Sequence, residues 1–129
     1  MKQLTPPYVL ELPYPITVNN YWRTNYIRKM TYVSEKGLKF KKSVMANYGY
    51  LCKPVVGNVE LEITIQPKLT KKGLPSKELI DLDNGCKCIL DSLIGIAYVD
   101  DKQVKKITLR YGEPMAEGGT MVTVREYLA

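Results

Sequence analysis

The sequence predicts an α/β chain of the α+β kind, a single compact domain in which two helices pack on a mixed β-sheet. Three observations carry this expectation. Apolar and polar residues alternate strictly through residues 59–66, apolar residues recur at helical spacing through residues 86–93, and two further strand-like runs close the chain at residues 104–111 and 120–127. At 129 residues the chain suits one domain, residues 1–129, long enough to bury a core without staples.

Taken in order, Tyr8 to Leu12 reads as a strand, after which Pro13 and Pro15 interrupt regular structure. Ser34 is placed to cap a helix running to about Leu51. Leu38, Val44, Met45 and Tyr48 are its expected inward positions, with Lys36, Lys39, Lys41 and Lys42 outside and Gly37 weakening its start. Val59, Leu61, Ile63 and Ile65 alternate with Glu60, Glu62, Thr64 and Gln66, the pattern of a half-exposed strand. Residues 68–79, rich in lysine with Gly73 and Pro75, form a loop. Cys86, Ile89, Leu90 and Leu93 then fall at i, i+3, i+4 and i+7, with Asp83 or Asn84 as N-cap and Asp81 just before the helix mouth. The last two strands are joined across residues 112–119.

Charge and composition narrow the function classes. Nineteen lysines and arginines stand against 13 acids, a formal net charge of +6, which fits a phosphate polyanion as partner. There is no histidine. The commonest general base and the usual zinc ligand are therefore absent. Cys52, Cys86 and Cys88 make an odd set that matches neither a redox pair nor a zinc pattern, and they read as reduced, with Cys86 in the core. The N-terminal residues lack the basic start and apolar run of a signal peptide, and no stretch approaches a membrane span, so the expected location is cytoplasmic, with no membrane partner.

Against that basic background two acidic groups stand close in sequence: Asp81-Leu82-Asp83-Asn84 and Asp100-Asp101. Either alone reads as a helix cap or a turn. Together they imply carboxylates held against their mutual repulsion by a divalent cation. Residues 94–101 include Gly95 and are short enough to return Asp100 or Asp101 toward the helix start, so that Asp81, Asp83 and one of the later pair share the cation. Asp83, Lys87 and Asp91 succeed one another four apart, which sets Lys87 one turn from a carboxylate on either side. Magnesium suits this chemistry, because it takes few carboxylates, keeps several waters and leaves room for phosphate oxygens. Upstream, Tyr21, Trp22, Arg23, Tyr26, Arg28 and Lys29 interleave aromatic and basic side chains beside Asn19 and Asn20, a pattern suited to phosphates and exposed bases. Asn19 and Asn20 serve either to bond phosphate or to orient the aspartates.

The run Asp81-Leu82-Asp83-Asn84-Gly85-Cys86-Lys87, then Leu90-Asp91-Ser92-Leu93, then Asp100-Asp101-Lys102-Gln103-Val104, resembles the signature of RusA-type Holliday junction resolvases. Pro15-Ile16-Thr17-Val18-Asn19-Asn20-Tyr21 and Val33-Ser34-Glu35 resemble that family's opening segment and the start of its first helix. The resemblance implies a RusA-like fold and a crossover junction endodeoxyribonuclease that resolves four-way DNA junctions by paired symmetric nicks in recombination and repair. It implies Mg2+ as cofactor, with Mn2+ as a possible substitute, and a homodimer, since one acidic cluster per chain must make two symmetric cuts. It carries the catalytic metal ligands to Asp81, Asp83 and Asp101 and the active-site lysine to Lys87, with Asp91 and Asp100 supporting. Asn19, Asn20, Tyr21, Arg23, Lys71 and Lys72 are the expected DNA contacts. Gly85 and Cys86 depart from the family's larger apolar residues, and glycine there costs about 1 kcal/mol of helix propensity, which predicts a loosened first turn. Ile80 stands where the family often has proline or a basic residue. Two other classes fit the residues: a metal-dependent nuclease acting on other branched DNA or nucleotides, and a junction-binding protein without catalysis.

Overall fold

The alternation in residues 59–66 does what its period requires. Val59, Leu61, Ile63 and Ile65 turn into the core, and the residues between them stay half-exposed on the other face. The computed structural model describes residues 4–128; the expectations that begin at the first residue, the domain boundary and the lack of an apolar leader, fall partly outside these. The elements are β1 (Tyr8–Leu12), α1 (Val18–Tyr21), β2 (Trp22–Asn25), β3 (Met30–Val33), α2 (Glu35–Tyr48), β4 (Val59–Gln66), a 3-10 turn (Leu82–Gly85), α3 (Cys86–Ser92), a second 3-10 turn (Asp101–Gln103), β5 (Val104–Tyr111) and β6 (Gly119–Glu126).

Four strands form a mixed sheet in the order β1-β6-β4-β5, and β2 and β3 form a separate two-stranded sheet. β6 lies antiparallel between β1 and β4, and its Val122 is opposite both Leu10 and Ile63. Phe40 and Val44 of α2 and Cys88 and Ile89 of α3 join these strands in one core, so both helices cover the same sheet face. Each such valine, isoleucine or phenylalanine side chain contributes about 1.5–3 kcal/mol by leaving water. The opposite face is polar, with Arg125 Nη1 3.0 Å from Glu62 Oε1 and Arg110 Nε donating to Thr64 Oγ1 at 2.9 Å. The architecture is therefore the α+β domain expected, with a third short helix and an extra hairpin.

Two details differ from expectation, and one more, the order of the strands in the sheet, is left open by it. α2 is capped by Ser34, whose Oγ accepts from the Gly37 N–H at 3.1 Å, but its inward face is Gly37, Phe40 and Val44. Leu38 and Met45 are 46% and 49% exposed. Gly37 sets this rotation, because a Cβ there would lie 2.6 Å from Val33 Cγ1 and 3.0 Å from Tyr21 Cδ1, so only glycine lets the helix seat against them. In the sheet, β5 and β6 are consecutive but not neighbours: β5 pairs in parallel with β4, and the crossover that parallel pairing demands is the long segment carrying α3. The second difference is that the core cysteines are Cys52 and Cys88; Cys86 is only half-buried. No helix among the described residues is long and apolar enough to cross a membrane.

Candidate active site

Asp81 is positioned through the backbone of the residue before it. The Ile80 N–H donates to Tyr14 Oη at 2.9 Å, and the Tyr111 hydroxyl donates to Ile80 O at 3.0 Å, so two tyrosines from distant parts of the chain clamp the backbone of one residue. Asp81 then enters the 3-10 turn with extended backbone, its carbonyl accepting from the Asn84 N–H at 3.0 Å while its carboxylate makes no cap bond. Asp83 lies on the same turn, and both carboxylates face solvent. The cap of α3 itself is Gly85, not Asp83 or Asn84. Gly85 also answers the expectation of a loosened first turn. A Cβ there would sit 2.9 Å from Pro15 Cβ and 3.0 Å from its Cγ, so its absence lets the proline segment lie directly on the acidic turn.

Along α3, Lys87 does not stand between two carboxylates. Its Nζ lies 3.4 Å from Asp91 Oδ1 and 5.7 Å from the centre of the Trp22 ring, and it makes no ion pair with Asp83. Asp91 is the hub that the sequence marked only as supporting. Its Oδ2 accepts a short hydrogen bond from the Tyr21 hydroxyl and lies 3.8 Å from Lys41 Nζ. Tyr21 is fully buried, so it is removed from the expected DNA contacts. Burial, and then the Asp91 carboxylate, hold its hydroxyl un-ionised and well above the usual tyrosine range. Cys88 accepts from the Ile16 N–H at 3.2 Å, and burial pushes its thiol up to about 11.

The second acidic pair sits on its own clasp. Asp100 Oδ1 accepts from the Lys102 N–H at 3.0 Å, and this bond, then that to Asp101, holds its carboxyl below the usual range. Gln103 Oε1 accepts from the Val99 and Asp100 N–H groups at 2.8 and 2.9 Å, while its Nε2 donates to Val55 O and Gly57 O at 2.6 and 2.7 Å. Asp100 is thus occupied as a cap, and Asp101 makes no ion pair among the described residues.

The turn at Gly95 does reverse the chain, with φ of +82° and its N–H donating to Tyr98 O at 2.7 Å. Tyr98 then reaches back to α3, donating to Leu90 O at 2.6 Å. Both acidic segments border β5: the Tyr111 hydroxyl at its end holds the carbonyl of Ile80, next to Asp81, and Asp101 lies in the 3-10 turn just before its first residue. Among the described residues no three acidic, cysteine or histidine side chains form a group placed to hold a metal ion. Asp81, Asp83 and Asp101 fit a hard cation in kind, being oxygen donors paired with no lysine or arginine among the described residues. One chain does not close them into a set.

Around the acidic turn the surface is basic and concave. A cavity of about 430 Å³ between α1, α2 and the loop that leads to the turn is lined by Asn20, Lys36, Lys68, Ser76 and Glu78, with Lys68 Nζ 4.8 Å from the centre of the Tyr14 ring. Asn19, Asn20 and Arg23 are exposed beside it, and Lys71 and Lys72 are exposed in the loop beyond. That loop is folded, with the Thr70 N–H donating to Leu74 O at 2.7 Å and the Gly73 N–H to Thr70 O at 2.9 Å. Sequence reasoning missed the tyrosine clamp, whose partners no local spacing links. The Asp100–Gln103 clasp carried a readable signal, an N-cap acid three residues before a glutamine.

A family model described as endodeoxyribonuclease RusA matches residues 13–125. A protein named crossover junction endodeoxyribonuclease rusA, from Enterobacteria phage HK97, is 31% identical over 123 residues, which cover 92% of this chain and 94% of that protein.

Proposed function

We propose, because this chain belongs to the RusA family of endodeoxyribonucleases, that it resolves four-way DNA junctions by paired symmetric phosphodiester cuts, in recombination and repair. One domain, residues 1–129, working in the cytoplasm, performs the reaction. The observation that carries this reading is the exposed Asp81 and Asp83 on a turn fixed by the Tyr14 and Tyr111 hydroxyls, in no ion pair among the described residues of a chain of net charge +6.

Asp81, Asp83 and Asp101 are the residues that would hold Mg2+, with Mn2+ as substitute. When bound, the cation supplies a Lewis acid beside the phosphate and a lowered pKa for water. The chain's own residues do the rest. Asn19, Asn20 and Arg23 grip the backbone on one side of the acidic turn, and Lys71 and Lys72 on the other. Lys87 is held by Asp91 and Trp22 in reserve, and turns its ammonium to the charge that develops on the phosphate oxygens. A two-fold homodimer makes the two cuts symmetric, and it also lets a second copy bring its acids to a turn that one chain leaves open.

The test is strand-resolved cleavage of fixed and mobile four-way junctions against duplex, flap and free nucleotides, in magnesium and in manganese. Paired nicks in strands of like polarity are expected on the junctions alone. Equal cutting of flaps or nucleotides overturns the substrate, and binding with no cleavage in either metal overturns the catalysis.

A further inference from the structure

The hairpin β2–β3 joins no other sheet. Such a ribbon is marginal in water unless its root is held. Here the root is held: Trp22 and Val33 pack against the core, the Ser34 N–H donates to Tyr21 O at 2.8 Å, and Ser34 Oγ donates to Asn20 O at 2.6 Å. The far end is also built. Asn25 Oδ1 accepts from the N–H groups of Ile27 and Arg28, both at 3.1 Å, and Lys29 takes a positive φ of 53° to close the turn.

What this braced turn presents is Tyr26 and Ile27, 87% and 95% exposed, with Arg28 and Lys29 beside them and Arg23 on the strand below. The register sets Arg23 opposite Tyr32, which is half exposed, so the outward face of the ribbon is also aromatic and basic. Residues 22–33 contain no acid. Two copies of this tip would repel each other, whereas phosphates on either side of an apolar contact would match it. A duplex hides its base faces in the stack. A branch point is where a junction offers them.

We propose that the hairpin is a wedge for the branch point: Tyr26 and Ile27 insert against base pairs at the crossover, while Arg23, Arg28 and Lys29 take the flanking phosphates. This rests on the junction reading above and names the residues that select branched over linear DNA. The root ties the wedge to the chemistry, because Trp22 lies under the Lys87 ammonium.

The experiment uses the full chain carrying Asp81→Asn to keep the DNA whole, with and without Tyr26→Ser and Ile27→Ser together. A four-way junction carrying 2-aminopurine beside the branch point, and a duplex of the same arm sequence, are titrated with each protein. The parent is expected to raise the fluorescence on the junction, reporting unstacking. The tip variant is expected to lose most of that rise and to weaken junction binding roughly tenfold, the scale of one lost stacking contact, with a much smaller change on duplex. Tyr26→Trp is expected to keep both. A parent that prefers the junction and a tip variant that keeps the preference and the signal overturn the wedge alone. A parent with no preference overturns the junction reading and the wedge with it. A tip variant that changes the sedimentation coefficient makes the tip a contact between copies, which also overturns the wedge.

Discussion

Among the described residues the Asp81 and Asp83 carboxylates make no ion pair, whereas Asp91 is held by three partners, and substitutions should divide accordingly. Asp81→Asn, Asp83→Asn and Asp101→Asn are each expected to reduce junction cleavage on the order of 100-fold or more. The melting temperature should hold, since none of the three carboxylates is buried. Normal cleavage by Asp101→Asn beside a dead Asp100→Asn would shift the ligand to the other member of the pair. Asp91→Ala should act on the fold. It leaves the buried Tyr21 hydroxyl without its acceptor, at a cost of about 1–3 kcal/mol, and for a domain of this size the melting temperature should fall by roughly 3–10 °C. Adding Tyr21→Phe should restore part of that loss, and a double variant no more stable than Asp91→Ala would mean that the bond carries little. At this scale the exposed acids of the candidate site were legible, because acids gathered in a basic chain are conspicuous, whereas the Asp91 hub and the tyrosine clamp were not. Tyr21 was misread for a physical reason: interleaved aromatic and basic residues look the same whether the ring faces DNA or the core, and only the packing of Gly37 against it decides.

Elements recorded themselves in the sequence in proportion to their length and regularity. β4 and the cap of α2 were plain, since eight alternating residues and a serine at the helix start each have one physical meaning. α1, β2 and β3, four residues each, were not, and their hairpin turn uses Lys29 at positive φ in place of the glycine that would have announced it. The acidic turn supplies a test in which two effects oppose. Gly85→Ala should add about 1 kcal/mol of helix propensity to the start of α3, yet the new Cβ meets Pro15 at 2.9 Å, and overpacking of that kind costs about 1–3 kcal/mol. The overpacking is expected to win. Calorimetry should show a lower melting temperature, and cleavage should fall because the proline segment leads into Asn19 and Asn20. A more stable variant would mean that Pro15 moves aside freely.

Strand order and assembly belong to the whole molecule and left no local trace, because the parallel β4–β5 pair is set by how the α3 crossover packs, not by any pattern within either strand. The basic surface acts at this scale too. Neutralising Lys71 and Lys72 together should weaken junction binding and flatten the dependence of log K on log salt by roughly 0.9 per lost phosphate contact, read from titrations at several salt concentrations. An unchanged slope would turn that loop away from DNA. The proposed homodimer needs a surface, and β5 offers one: it is one of the sheet's two outer strands, and on the face the helices cover elsewhere its Ile107 and Tyr111 remain 39% and 42% exposed. Charge blunts natural edge strands, and β5 carries Lys105, Lys106 and Arg110; the apolar pair Ile107 and Tyr111 among them is what a partner would cover. Ile107→Lys should therefore lower the sedimentation coefficient from that of a pair to that of a single chain, and paired cuts should give way to isolated nicks. If the variant still sediments as a pair, the two copies meet elsewhere, and the edge of β5 is left to the solvent.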